Sequence, residues 1–136
     1  MKLDAKTIAA LAEHLESCQL QVRDTPKVTD EHPDMDWDDA YAIQAELLHR
    51  KIARGRRLAG LKAGLTSHAK MKQMGVESPV FGFLADYFSV PEGSTVKVSE
   101  LIHPKVEPEI AFVMKRALKG PGCNIADVLA ATDFVL

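Results

Sequence analysis

The chain has 136 residues, 46% of them hydrophobic and 26% charged, with a formal net charge of −2. This suffices for one modest globular core and excludes a collagen-like or disordered chain, as well as the overall basic field of a non-specific nucleic-acid binder. No apolar run reaches the ~18 residues that would span a bilayer, and Cys18 and Cys123 lack the spacing of a zinc site or a disulfide framework, so a cytoplasmic protein with no membrane or nucleic-acid partner is expected.

In chain order, Asp4 can cap a first helix in which Ile8, Leu11, Leu15 and Cys18 fall at helical spacing, with Glu13, Glu16 and Gln19 assigned to the polar side. A polar stretch with Pro26 and Pro33 follows. Asp36 then caps a second helix with acids in its first turn, Ala40, Ile43, Leu47 and Leu48 inside, and Gly55 ending it. Arg50, Lys51, Arg54, Arg56 and Arg57 cluster at that end, and the expectation is a solvated basic end that complements the helix dipole. The run Leu58-Ala59-Gly60-Leu61-Lys62-Ala63-Gly64-Leu65-Thr66 is too rich in glycine for a helix and suits a short strand entering a close-packed loop. Ser67 can cap a helix over Ala69 to Met74, with Met71 and Met74 packed. Gly75, Pro79, Gly82 and Pro91-Glu92-Gly93 predict turns, Thr95 to Val98 a strand, Lys105 to Met114 a second strand, and Ile125 to Ala131 a helix. Thr132 to Leu136 reads as the opening of a further apolar strand, so the chain is expected to be a fragment.

Two places carry chemistry. Glu107 and Glu109 flank Pro108; on a strand they would share one face with Cβ atoms about 7 Å apart, close enough to converge on a hard divalent cation. Two acids on a solvated strand face are the bland alternative. Lys62 is the sole charge between Leu58 and Thr66; it could donate to an oxyanion or shuttle a proton, or simply snorkel at the surface. His103 is too poorly spaced from Glu107 to converge with it, and His14, His32, His49 and His68 are read as surface residues.

The stretches GLKAGLTS at 60–67, MGVESPVFGFLADYFSVPEG at 74–93 and HPKVEPEIAFV at 103–113 resemble the 4-oxalocrotonate decarboxylase and 2-hydroxypenta-2,4-dienoate hydratase family of the fumarylacetoacetate hydrolase superfamily, in its N-terminal half. The resemblance implies an α+β fold, with an N-terminal helical segment at 1–57 leading into part of a mixed β-roll at 58–136. It implies Glu107 and Glu109 as ligands of Mg²⁺ or Mn²⁺, a third carboxylate ligand beyond Leu136, Lys62 as the catalytic lysine, and substrate contacts at Leu65, Ser67 and Asp86. The activity implied is metal-dependent decarboxylation of 4-oxalocrotonate, a dicarboxylate 2-oxo acid, by a homo-oligomer able to form a complex with the hydratase. A hydratase, or an inactive fragment or binding module of the same fold, is the alternative. Pro108 stands where family members often carry alanine, which puts the strand pairing there in question.

Overall fold

The computed structural model describes residues 1–136 and is α+β, in two compact units, Met1–His103 and Pro104–Leu136. The first unit opens with α1 (Ala5–Leu20), capped by Asp4, whose carboxylate accepts the Thr7 N–H at 2.7 Å. A one-turn helix, α2 (Val28–Glu31), interrupts the polar stretch, and α3 (Trp37–Ala53) follows. A capping box starts α3: Asp36 accepts the Asp39 N–H and Asp39 accepts the Asp36 N–H, each at 3.0 Å. Asp39 is fully buried and also takes the backbone N–H groups of Lys2 and Leu3 at 2.9 Å. Burial pushes its pKa up, but the Asp36, Leu3 and Lys2 amides and the N-terminal ammonium together outweigh that and bring it down to about 2.

These contacts put α1 and α3 side by side and parallel. Leu3 meets Asp39 at one end, Ile8 and Ala12 pack on Ile43 with Leu11, Leu15 and Leu47 around them, and Glu16 meets Arg50 and Arg54 at the other end. That last contact corrects the sequence reading of both helices. Glu16 is 3% exposed and faces α3, accepting from Arg54 Nη2 at 2.7 Å and Arg50 Nε at 3.0 Å, with Lys51 Nζ at 3.5 Å. Lys51 is itself 2% exposed, donates to Gln19 Oε1 at 2.6 Å and lies 5.5 Å from the centroid of the Tyr87 ring. Three of the five basic residues therefore neutralise one buried carboxylate and are not simply a solvated helix end. Glu16 sits on an otherwise apolar face because cations at the end of α3 offset its desolvation, whereas Gln19 is exposed, as expected of the polar side.

Beyond Gly55, β1 (Leu58–Gly64) pairs antiparallel with β2 (Val80–Ala85), and α4 (His68–Met74) lies in the connection. The sequence pointed to turns at Pro79 and Gly82, but Gly82 is a strand residue opposite Lys62. One edge of β2 is covered by α3: Phe81 donates its N–H to Tyr41 Oη at 3.3 Å and accepts from Gln44 Nε2 at 3.0 Å through its carbonyl. In α4, Met71 is buried as expected, whereas Met74 is 61% exposed. No strand forms over Thr95 to Val98; a 3₁₀ turn at Val98–Glu100 replaces it.

In the second unit β3 (Phe112–Met114) pairs antiparallel with β4 (Thr132–Val135), and α5 (Ile125–Ala131), capped by Asn124, precedes β4. The strand expected from Lys105 is confined to Phe112–Met114. Two prolines explain the shortening: Pro104 and Pro108 have no N–H for a ladder, and each restrains the residue before it. No helix of the protein is long and apolar enough to cross a membrane.

Candidate metal and substrate site

Lys62 lies in the middle of β1, opposite Gly82, and is partly buried. Alternation along the ladder places Gly60 and Gly64 on its own face with Gly82 across from it, while Leu61, Ala63, Phe81 and Phe83 occupy the other face. The lysine stem thus rises from a floor of three glycines flanked by Leu84 and Val80, the partners of Gly60 and Gly64 on that same face. A Cβ at Gly64 would lie 3.1 Å from Val80 Cγ2, so that position has little room for a side chain. The spacing Gly-Leu-Lys-Ala-Gly was the signal in the sequence; Gly82 completes the floor but was hidden by its reading as a turn. On the opposite face, Leu61, Phe81 and Phe83 join Tyr41, Gln44 and Leu48 around an apolar cleft of about 230 Å³, which Lys62 does not line.

Three further expected site residues lie around this ladder. Leu65 follows β1 directly and has φ +55°, a left-handed conformation that is uncommon in a non-glycine residue and recurs at ligand sites. Ser67 caps α4, its Oγ accepting the Lys70 N–H at 3.2 Å. Both stand at the end of the ladder where β1 finishes. Asp86 stands at the other end, just after β2, where its backbone N–H bonds the Arg57 carbonyl at 2.9 Å and its carboxylate accepts the Tyr87 N–H at 3.0 Å. The opposite residue Gly82 is four positions from Asp86, which sets Asp86 roughly 13 Å along the strand direction from Lys62. The ladder therefore brings Leu65 and Ser67 together on one side of the lysine and leaves Asp86 on the other.

Glu107 and Glu109 belong to the second unit and lie in an exposed segment, 104–111, without helix or strand. The shared strand face inferred for them does not form. The donor set still suits a hard cation, since two carboxylates one residue apart offer only oxygen. No group of three histidine, cysteine, aspartate or glutamate side chains that could hold a metal occurs in the chain, so a six-coordinate ion on these two residues needs further oxygen ligands. His103 Nε2 lies 2.9 Å from Asp24 Oδ2.

No protein-family model matches the chain. It is 61% identical over 129 residues, 95% of its length, to 4-oxalocrotonate decarboxylase of Pseudomonas sp. (strain CF600), and covers 49% of that protein. With 2-hydroxypent-2,4-dienoate hydratase of Pseudomonas putida the identity is 39% over 135 residues, 98% of the chain and 61% of the relative. Among solved structures, 4-oxalocrotonate decarboxylase from Pseudomonas putida G7 complexed with magnesium and adipate superposes with a TM-score of 0.93 at 56% identity, over 98% of this chain and 51% of that one. The chain spans about half the length of the decarboxylases it matches.

Proposed function

We propose that this chain is the part of a 4-oxalocrotonate decarboxylase that carries the active-site lysine and two metal-binding glutamates, and that the full-length protein converts 2-oxohex-3-enedioate to 2-hydroxypenta-2,4-dienoate and CO₂. The observation that carries this reading is the gap between 61% identity to a decarboxylase and 39% to a hydratase over nearly the same residues. The adipate bound by the Pseudomonas putida G7 enzyme adds support, because it is a six-carbon dicarboxylate like the proposed substrate. The helical segment 1–57, a mixed β-roll beginning at 58, and a homo-oligomer able to dock the hydratase belong to the same proposal.

The substrate is a vinylogous β-keto acid. When the C5–C6 bond breaks, CO₂ leaves and the electron pair spreads through C4 and C3 onto the 2-oxo oxygen, giving a dienolate. Glu107 and Glu109 would hold Mg²⁺ or Mn²⁺. Bound there, the cation supplies Lewis-acid polarisation of the 1-carboxylate and 2-oxo oxygens, worth several kcal/mol of barrier. The chain's own contribution centres on Lys62. Its ammonium, rising from the glycine floor, donates to the oxygen on which charge develops or to a substrate carboxylate. Leu65 and Ser67, at the near end of the ladder, and Asp86 at the far end, would line the substrate. The test offers the full-length protein, with Mg²⁺, both 2-oxohex-3-enedioate and 2-hydroxypenta-2,4-dienoate. CO₂ release from the first supports the assignment; water addition to the second without CO₂ release from the first replaces it with a hydratase.

A further inference from the structure

The β1–β2 sheet has only two strands, and two strands alone are marginally stable. What steadies this ladder therefore bears on Lys62. In β2, Phe81 turns both of its backbone groups away from β1: its N–H donates to Tyr41 Oη at 3.3 Å, and its carbonyl accepts from Gln44 Nε2 at 3.0 Å. The N–H and C=O of one strand residue point to the same side, so Phe81 and Ala63 face each other without mutual hydrogen bonds. The next pair, Gly82 and Lys62, is then the one that exchanges them. Tyr41 and Gln44 lie one helical turn apart on α3 and supply an acceptor and a donor where a third strand would have run.

Gln44 is itself firmly placed. Its neighbour Ile43 is buried in the core between α1 and α3, and Asp39 anchors the start of the same helix. The Gln44 amide also reaches Gly82, because a Cβ added there would stand 3.7 Å from Gln44 Oε1. From the core to the lysine the path is short: α3, the Phe81–Gly82 peptide, and the paired Lys62 backbone. All of it lies within the first unit.

We propose that Gln44 is a positioning residue for Lys62: by holding the Phe81 carbonyl, with Tyr41 on the Phe81 N–H, it fixes the backbone from which the lysine rises. The claim rests on the catalytic role given to Lys62 above. Gln44 lines the apolar cleft that Lys62 does not line, so it acts through the ladder and not on the substrate. Phe81 is exposed, and water can replace a lost partner on its carbonyl. The fold therefore tolerates the loss, whereas a small displacement matters to a donor that must meet one particular oxygen.

The test measures kcat and KM for 2-oxohex-3-enedioate in the full-length protein at saturating Mg²⁺, in a cycle of Gln44→Leu and Lys62→Ala. Gln44→Leu keeps most of the bulk and loses the donor; it should lower kcat about threefold to tenfold, with Mg²⁺ affinity and melting temperature near wild type. In the Lys62→Ala background the same change should cost nothing further. Gln44→Glu gives an independent reading, since an ionised carboxylate cannot donate to the Phe81 carbonyl and a protonated one can. Its kcat relative to wild type should therefore recover as the pH falls from neutral toward the usual carboxylate range. Wild-type kcat in Gln44→Leu, full additivity with Lys62→Ala, or a Gln44→Glu ratio that does not change with pH overturns the proposal. Lys62→Ala alone separates the two claims. If it retains turnover, the role given to Lys62 fails and the positioning role fails with it; if it loses turnover where Gln44→Leu does not, only the positioning role fails.

Discussion

Replacing Glu16 with glutamine tests whether a buried charge cluster, and not only the small apolar core, joins α1 to α3. The substitution keeps the side chain's shape and removes its charge. Arg50 and Arg54 are 31% and 43% exposed and can turn toward water, but the Lys51 side chain is 3% exposed and cannot. It would be left with Gln19 Oε1 and the Tyr87 ring. Removing one partner of a buried pair costs about 3–5 kcal/mol; rehydration of the two arginines offsets part of that, so about 2–4 kcal/mol is expected. For a chain of this size that lowers the melting temperature by roughly 10 °C. Lys51→Met keeps the stem's volume and leaves Glu16 with two arginines, so it should cost about 1 kcal/mol or less. Combined, the changes should destabilise by less than their sum, because Glu16→Gln no longer strands a buried ammonium. Urea unfolding followed by helical circular dichroism provides the four free energies. A Glu16→Gln cost below about 1 kcal/mol, or strict additivity with Lys51→Met, would refute the reasoning.

The site makes its own demands. Glu107→Gln or Glu109→Gln should each weaken Mg²⁺ binding by roughly tenfold or more, since even residues behind the ligands of a metal are worth that much; titration calorimetry on the full-length protein would read it. Lys62→Ala should reduce kcat by roughly a hundredfold or more with Mg²⁺ affinity near wild type, and retained turnover would make Lys62 a structural residue. Acid stability should follow Asp39. Its folded pKa of about 2 lies below the usual carboxylate value, so its stabilising effect is complete above the unfolded pKa near 4 and is lost as the pH falls from there toward 2. Asp39→Asn should flatten the fall in stability over that window in acid-denaturation curves, and an unchanged slope would show that the hydrogen bonds to Lys2, Leu3 and Asp36 do not govern it.

Much of the first unit was legible because its signals are local. Asp4 and Asp36 cap the helices that their neighbours' periodicity announces, and β1 and α4 begin within a residue of the expected places. What the sequence hid depends on partners distant in the chain. Glu16 reads as a solvent-facing acid until Arg50, Lys51 and Arg54, more than thirty residues on, are folded against it. Gly82 reads as a turn until it is paired opposite Lys62, where the absence of a side chain is what the position supplies. The glutamates show the reverse case: motif resemblance assigned them to a metal, whereas the strand geometry offered for their convergence fails, because Pro104 and Pro108 cannot donate to a ladder. The Asp24–His103 link left no signal in the sequence, since nothing local relates positions 24 and 103.

The most direct test of the account measures CO₂ release from 2-oxohex-3-enedioate by the full-length protein over a series of Mg²⁺ concentrations, for wild type and Glu107→Gln side by side. Metal-dependent release is expected in the wild type, with the variant needing much more Mg²⁺ and releasing CO₂ more slowly at every concentration. Equal, metal-independent release by both proteins, or no release by the wild type at saturating Mg²⁺, would contradict it.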